Sequence, residues 1–185
     1  MIHKGTQTIE TERLLLRRFS LNDAKPMFDN WASDDEVTKF LTWESHSDIS
    51  VTEAIISQWV SDYENKEFYS WAISLKDNPD NPIGSISVVE PISDKICKAH
   101  IGYCISKKHW HKGITSEALD AVINFLFNVV GVNKIEARHD PNNPNSGKVM
   151  KKCGMKFEGT LRQTDWNNQG ICDACWYGLL KSERC

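Results

Sequence analysis

The densest chemistry in this chain lies between Lys107 and Leu119, in the run Lys-Lys-His-Trp-His-Lys-Gly-Ile-Thr-Ser-Glu-Ala-Leu. Lysines and histidines with one tryptophan precede Gly113, and from that glycine onward the sequence turns into an apolar helical pattern. A helix start presents unpaired backbone N–H groups and about half a positive charge, so a glycine that lets the backbone approach closely suits a phosphate or pyrophosphate. Lys107, Lys108 and Lys112 would add to that attraction. The Gly-x4-Gly-Lys-Ser/Thr spacing of a P-loop is absent, which excludes that class. The plain structural alternative is a solvated loop entering an ordinary helix. Cys172 and Cys175 form a Cys-x-x-Cys. A zinc site normally requires a second pair, and this segment reads as a strand, where residues three apart face opposite sides; no metal is expected.

The elements that must hold these residues can be read from pattern. Thr11 to Phe19, with Leu14, Leu15 and Leu16, reads as a first strand, and Ser20 is placed to cap a short helix through about Trp31. Ser33-Asp-Asp-Glu36 and Ser50-Val-Thr-Glu53 match the capping box and predict two further helix starts. Strands follow at Tyr69 to Leu75, Ile83 to Val89 and Ala99 to Ser106, with Asn78-Pro-Asp-Asn-Pro82 as a turn. From Ile114 to Val130 the polar residues Glu117, Asp120, Asn124 and Asn128 form a single wet stripe on an otherwise apolar helix, which Gly131 should end. Lys134 to His139 completes a strand, crossover helix, strand unit, which should be parallel and right-handed. Asp140 to Asn145 is a loop at the carboxyl end of that strand, where open sheets bind ligands. A short helix over Ser146 to Cys153 and strands at Met155 to Leu161 and Ala174 to Leu180 close the chain. The fold class is therefore mixed α/β, a mostly antiparallel sheet of about seven strands with one central parallel pair, flanked by helices.

Length and composition bound the rest. A chain of 185 residues, 40% hydrophobic and 25% charged, suits one globular domain spanning 1–185. With 22 Lys and Arg against 25 Asp and Glu, the net charge of -3 offers no global attraction for nucleic acid or anionic membrane. No apolar run approaches the ~18 residues of a membrane span, and no signal-peptide core is present, so a cytoplasmic location is expected. The six cysteines lack framework spacing and read as reduced thiols.

Taken in order, Thr11-Glu-Arg-Leu-Leu-Leu-Arg17, Ile101-Gly-Tyr103, Trp110-His-Lys-Gly-Ile-Thr-Ser-Glu-Ala118, Asn143-Pro-Asn-Ser146, Cys153-Gly-Met-Lys-Phe-Glu-Gly159 and Trp176-Tyr-Gly-Leu-Leu180 resemble the GNAT acyltransferase superfamily. Within it they are most similar to the ribosomal-protein N-terminal acetyltransferases of RimJ/RimL type. The resemblance covers nearly the whole chain and implies acetyl-CoA as co-substrate. Its pyrophosphate would be held by backbone N–H groups of about His111, Lys112, Gly113, Ile114, Thr115 and Ser116. The family usually carries Gln or Arg where this chain has Trp110, which is usual for the branch, and Gly or Ala where it has Thr115. A β-branched residue at 115 would crowd a close backbone approach unless its φ is negative.

The resemblance also implies that the strand Ile101 to Ser106 pairs with the pantetheine arm and aims a backbone N–H near Cys104 or Ile105 at the acetyl carbonyl, the donor an oxyanion needs. Asn143 and Ser146 match a pattern in which the serine protonates the departing thiolate and the asparagine orders loop or cofactor; a helix N-cap is the alternative for Ser146. The amine proton has three candidate acceptors. Asp165 falls where the branch can carry a glutamate, with a turn residue as its alternative. His100 occupies a position where relatives usually have glutamate, and its ordinary pKa suits the task. Glu90 ends the preceding strand. Trp31, Trp43 and Trp166 are candidates to line an acceptor groove. The expected reaction is direct acetyl transfer to a primary amine, either a protein N-terminus or a small amine such as an amino acid, polyamine or aminoglycoside, by a monomer or homodimer. A non-catalytic acyl-CoA-binding module is a second class and a nucleic-acid binder a third; Cys104 is the one rival nucleophile.

Overall fold

The computed structural model describes residues 1–184. Its sheet has eight strands in the order β1-β2-β3-β4-β5-β6-β8-β7. These are β1 (Ile9–Glu10), β2 (Leu14–Arg17), β3 (Ser70–Leu75), β4 (Gly84–Val88), β5 (Lys98–Ile105), β6 (Lys134–His139), β7 (Lys156–Asn167) and β8 (Gly170–Leu180). The strand beyond the expected seven is β1, whose two residues are too few to show alternation. The helices are α1 (Ala24–Met27), α2 (Asp35–Thr38), α3 (Ile49–Asp62), α4 (Ile114–Phe125) and α5 (Pro144–Lys152); α1 and α4 each run on into a π turn.

Every neighbouring pair is antiparallel except β5–β6, which is parallel. That pairing covers only Lys98 with Lys134, Ala99 with Ile135 and His100 with Glu136. Beyond it the strands part, although β5 continues to Ile105 and β6 to His139. The sheet therefore opens a cleft at its centre.

Period-two alternation sorts the core into two layers. Trp71, Ile73, Ile101 and Ile105 face the layer that holds α4, where Leu119, Val122 and Ile123 are fully buried. Each such side chain contributes about 1.5–3 kcal/mol of transfer free energy. Ala72, between Trp71 and Ile73, faces the other layer with Trp31, Ile56 and Tyr63 of the α1–α3 region. The wet stripe is where the helical period puts it: Glu117, Asp120 and Asn124 are part-exposed and Asn128 exposed. Gly131 ends the helix with φ 86°, its N–H on the Leu126 carbonyl at 2.9 Å. Among the described residues no helix is long and apolar enough to cross a membrane.

Several expected boundaries move, each for a local reason. Asp34 and Asp48, not Ser33 and Ser50, cap α2 and α3, accepting the N–H groups of Glu36 at 2.9 Å and Ser50 at 2.8 Å. A carboxylate is the stronger, charge-assisted acceptor. Ser33 Oγ instead donates back to the Phe28 carbonyl at 2.7 Å. The helix expected to start at Ser146 starts at Pro144, since proline is preorganised for the first turn. The last two strands are longer than the expected segments and turn at Asn168-Gln169, so Asp165 lies within β7, opposite Cys172, and not in a turn.

Candidate functional site

The central cleft has a defined polar edge. Val89 N–H donates to the His100 carbonyl at 2.9 Å, and Ser106 N–H to the Ile83 carbonyl at 2.8 Å, so the even-numbered residues of β5 turn their backbone groups to β4. Alternation then turns the N–H and C=O groups of Tyr103 and Ile105 towards the cleft. Trp110 Nε1 donates to the Ile105 carbonyl at 3.0 Å, so the groups left on that edge include the N–H donors of Tyr103 and Ile105. Of the two positions expected to supply such a donor, geometry favours Ile105 over Cys104, whose N–H faces β4.

A cavity of about 340 Å³ lies at this edge, between the start of α4, α5 and the segment carrying Val37, Phe40 and Leu41. Cys104, Ile105, His111, Gly113, Ile114, Thr115, Ser116, Asn143 and Ser146 all line it; Lys112 does not. The start of α4 leaves backbone donors open. Gly113 has φ 73°, and no side chain of that residue caps the helix. The first intrahelical bond runs from Glu117 N–H to the Gly113 carbonyl at 3.1 Å, so the N–H groups of Ile114, Thr115 and Ser116 have no helical acceptor. The left-handed backbone falls on His111, φ 60°, and on Gly113, not on Thr115, which is an ordinary helical residue. The crowding expected at Thr115 is thereby avoided.

The cations at the cavity are not the expected ones. Lys107 is paired with Glu36, Lys108 lies outside the lining, and Lys112 contributes its carbonyl, which accepts from Arg13 Nη1 at 3.0 Å. Lys148 and Lys152 of α5 line the cavity instead. A Cβ on Gly113 would sit 3.5 Å from Lys152 Nζ and 3.6 Å from Arg13 Nη2. Asn145, Lys148, Val149 and Lys152 recur at helical spacing, a signal in the sequence that could have identified this lining face.

Tyr103 was not among the expected site residues, yet its hydroxyl lies 3.0 Å from Ser146 Oγ and donates to the Ser146 carbonyl at 3.1 Å. Burial pushes the Tyr103 phenol well above its ordinary range, so it stays protonated at neutral pH. Ser146 lies inside α5, free of the capping role, and Asn143 occupies the cap position without a side-chain capping bond. Strand alternation, which puts Tyr103 and Ile105 on one face, was the available clue.

His100 and Asp165 belong to a second cluster outside that lining. His100 is 5% exposed, with Nδ1 3.1 Å from Glu90 Oε1 and 3.2 Å from Arg138 Nη1. Burial, then the Arg138 charge, hold its pKa below the ordinary value, so the imidazole is neutral at pH 7. Asp165 is gripped by Arg138 through Oδ2 at 2.5 Å and Oδ1 at 3.2 Å. Burial pushes the carboxyl up, but Arg138 and the Trp166 N–H outweigh it, and the net pKa is depressed. Cys104 shares the strand face of His100; burial pushes its thiol up, and Ser85 Oγ lies 3.3 Å away. Trp31 is fully buried and cannot line an acceptor groove, while Trp166 is exposed and Trp43 packs on His46. Cys172 accepts from Asn167 Nδ2 at 3.3 Å and Cys175 lies 3.4 Å from Thr160 Oγ1; no metal-holding group occurs among the described residues.

Residues 13–156 match the acetyltransferase (GNAT) domain, and the chain belongs to that family of N-acetyltransferases. The uncharacterized N-acetyltransferase p20 of Bacillus licheniformis is 33% identical over 96% of this chain and 98% of its own. The ribosomal protein uS5-alanine N-acetyltransferase of Escherichia coli is 27% identical over 82% of this chain and 79% of its own. In three dimensions the fold is that of RimL, a ribosomal L7/L12 α-N-protein acetyltransferase solved with coenzyme A, with a TM-score of 0.84 and 16% identity over 96% of this chain and 99% of that one.

Proposed function

We propose that this protein acts as a single-domain enzyme that moves acetyl directly from acetyl-CoA to a primary amine, with a protein N-terminal α-amine as the acceptor class. The observation that carries the reading is the convergence on one cavity of the open edge of β5, the uncapped start of α4 and the Tyr103–Ser146 hydroxyl pair. The residues fit the co-substrate. The N–H groups of Ile114 to Ser116, with Lys152 beside Gly113, would take its pyrophosphate. The Ile105 N–H would receive the acetyl oxygen as negative charge develops there.

In the transfer, the amine nitrogen forms its bond to the acetyl carbon and the carbon–sulfur bond breaks. Ser146 gives its proton to the thiolate and regains one, through solvent, from the nitrogen that has become the amide, while Tyr103, 3.0 Å from the same oxygen, holds it in place. The amine must first lose a proton, and an α-amine with a pKa of about 8 is already partly neutral at neutral pH. Neutral His100, outside the cavity lining, can accept that proton through water, whereas the ion-paired Asp165 serves to fix Arg138. A raised thiol pKa makes Cys104 a poor nucleophile and supports transfer without a covalent enzyme intermediate. The named relatives support the acceptor class, and small amines are the alternative. Intact-mass measurement after incubation with acetyl-CoA and a panel of ribosomal proteins and small amines tests it; a 42 Da gain (about one acetyl group) on small amines only would overturn the acceptor assignment.

A further inference from the structure

The N-terminal segment is tied to the start of α4 by a set of bonds that the proposed chemistry does not use. Glu117, in the first turn of α4, accepts from Thr11 Oγ1 at 2.6 Å, from the Arg13 backbone N–H at 2.9 Å and from Arg13 Nε at 2.7 Å. Arg13 also reaches Lys112, donating from Nη1 to its carbonyl at 3.0 Å, and holds Nη2 3.6 Å from the position of a Gly113 Cβ. One guanidinium thus spans both sides of the turn, from residue 112 to residue 117.

Glu117 poses a problem for an anion site. A carboxylate in the first turn favours the helix dipole, but it repels a phosphate brought to the same N–H groups. Exposed ion pairs contribute little, yet the Glu117 side chain is only 19% exposed and receives three donors, so its charge is substantially compensated in place. We infer that Arg13 is a positioning residue for the donor site: by clamping Glu117 and the Lys112 carbonyl it neutralises the carboxylate and fixes the turn that receives the donor's pyrophosphate. The inference rests on the acetyl-CoA reading above. It gives the turn between β1 and β2, whose Arg13 is 104 residues from Glu117 in sequence, a part in donor recognition.

The test compares acetyl-CoA with S-acetylpantetheine, which keeps the thioester and arm but lacks the pyrophosphate and nucleotide. For Arg13→Ala the ratio of kcat/KM on acetyl-CoA to kcat/KM on S-acetylpantetheine should fall by ~10-fold, because repulsion from the bared Glu117 acts only on the phosphates. A general loss of structure would lower both values and leave the ratio in place. Arg13→Ala combined with Glu117→Gln should recover most of the lost ratio. An unchanged ratio in Arg13→Ala, or a double variant no better than the single, would overturn the inference. A wild-type protein that releases no thiol from acetyl-CoA with any amine would instead overturn the reading on which it rests.

Discussion

Replacing Gly113 with alanine separates the two tasks of that residue. The added Cβ would lie 3.5 Å from Lys152 Nζ and 3.6 Å from Arg13 Nη2, which are ordinary contacts, so the protein itself suffers no clash. Its own cost is the left-handed backbone at φ 73°, about 1–2 kcal/mol for a residue with a Cβ. For a domain of this size that corresponds to a Tm lower by about 2–8 °C. The methyl group also occupies the space between two cations through which an anion must approach the N–H groups of Ile114 to Ser116. Loss of one charge-assisted hydrogen bond there costs about 1.5–3 kcal/mol, or a ~10- to 150-fold rise in the KM for acetyl-CoA. Thiol release followed against varied acetyl-CoA, then against varied amine, with a melting curve on the same sample, measures all three quantities. A lowered Tm with an unchanged acetyl-CoA KM would refute the cradle, because strain without loss of donor binding means that the anion goes elsewhere.

The other predictions concern proton movement. Ser146→Ala should lower kcat by about 100-fold with little change in acetyl-CoA KM, and Tyr103→Phe should lower it less; full kcat in Ser146→Ala would remove the acid from the scheme. Cys104→Ala should keep turnover and sequential kinetics, whereas loss of activity in that variant, with ping-pong kinetics in the wild type, would contradict direct transfer. The His100 pKa is depressed by burial and by Arg138, so on acidification the unfolded chain takes up the proton first, near pH 6.5, and stability declines from there downward. His100→Gln should flatten the fall in urea midpoint between about pH 7 and 5; a slope like that of the wild type would show that His100 is not its source.

What the sequence determined by itself is whatever rests on near neighbours. Helical spacing identified α4 and its wet stripe, Gly131 marked its end, and the glycine at 113 marked the turn that opens it, because each of these depends on backbone geometry within a few residues. Alternation placed the central strands, and the strand, crossover helix, strand unit placed the parallel pair. Tertiary structure decided which groups meet across long separations. It parted β5 from β6 after His100, brought Tyr103 to Ser146, supplied Lys148 and Lys152 in place of the neighbouring lysines, and set Arg138 between His100 and Asp165. The three lysines beside Gly113 were the natural candidates from spacing. A short basic run is solvated, however, and one of its members is satisfied by Glu36, while the lysines that reach the cavity are carried there by the packing of α5 against α4. Local spacing shows which residues share a face of α5 or β5, but what that face meets follows from how the buried faces pack.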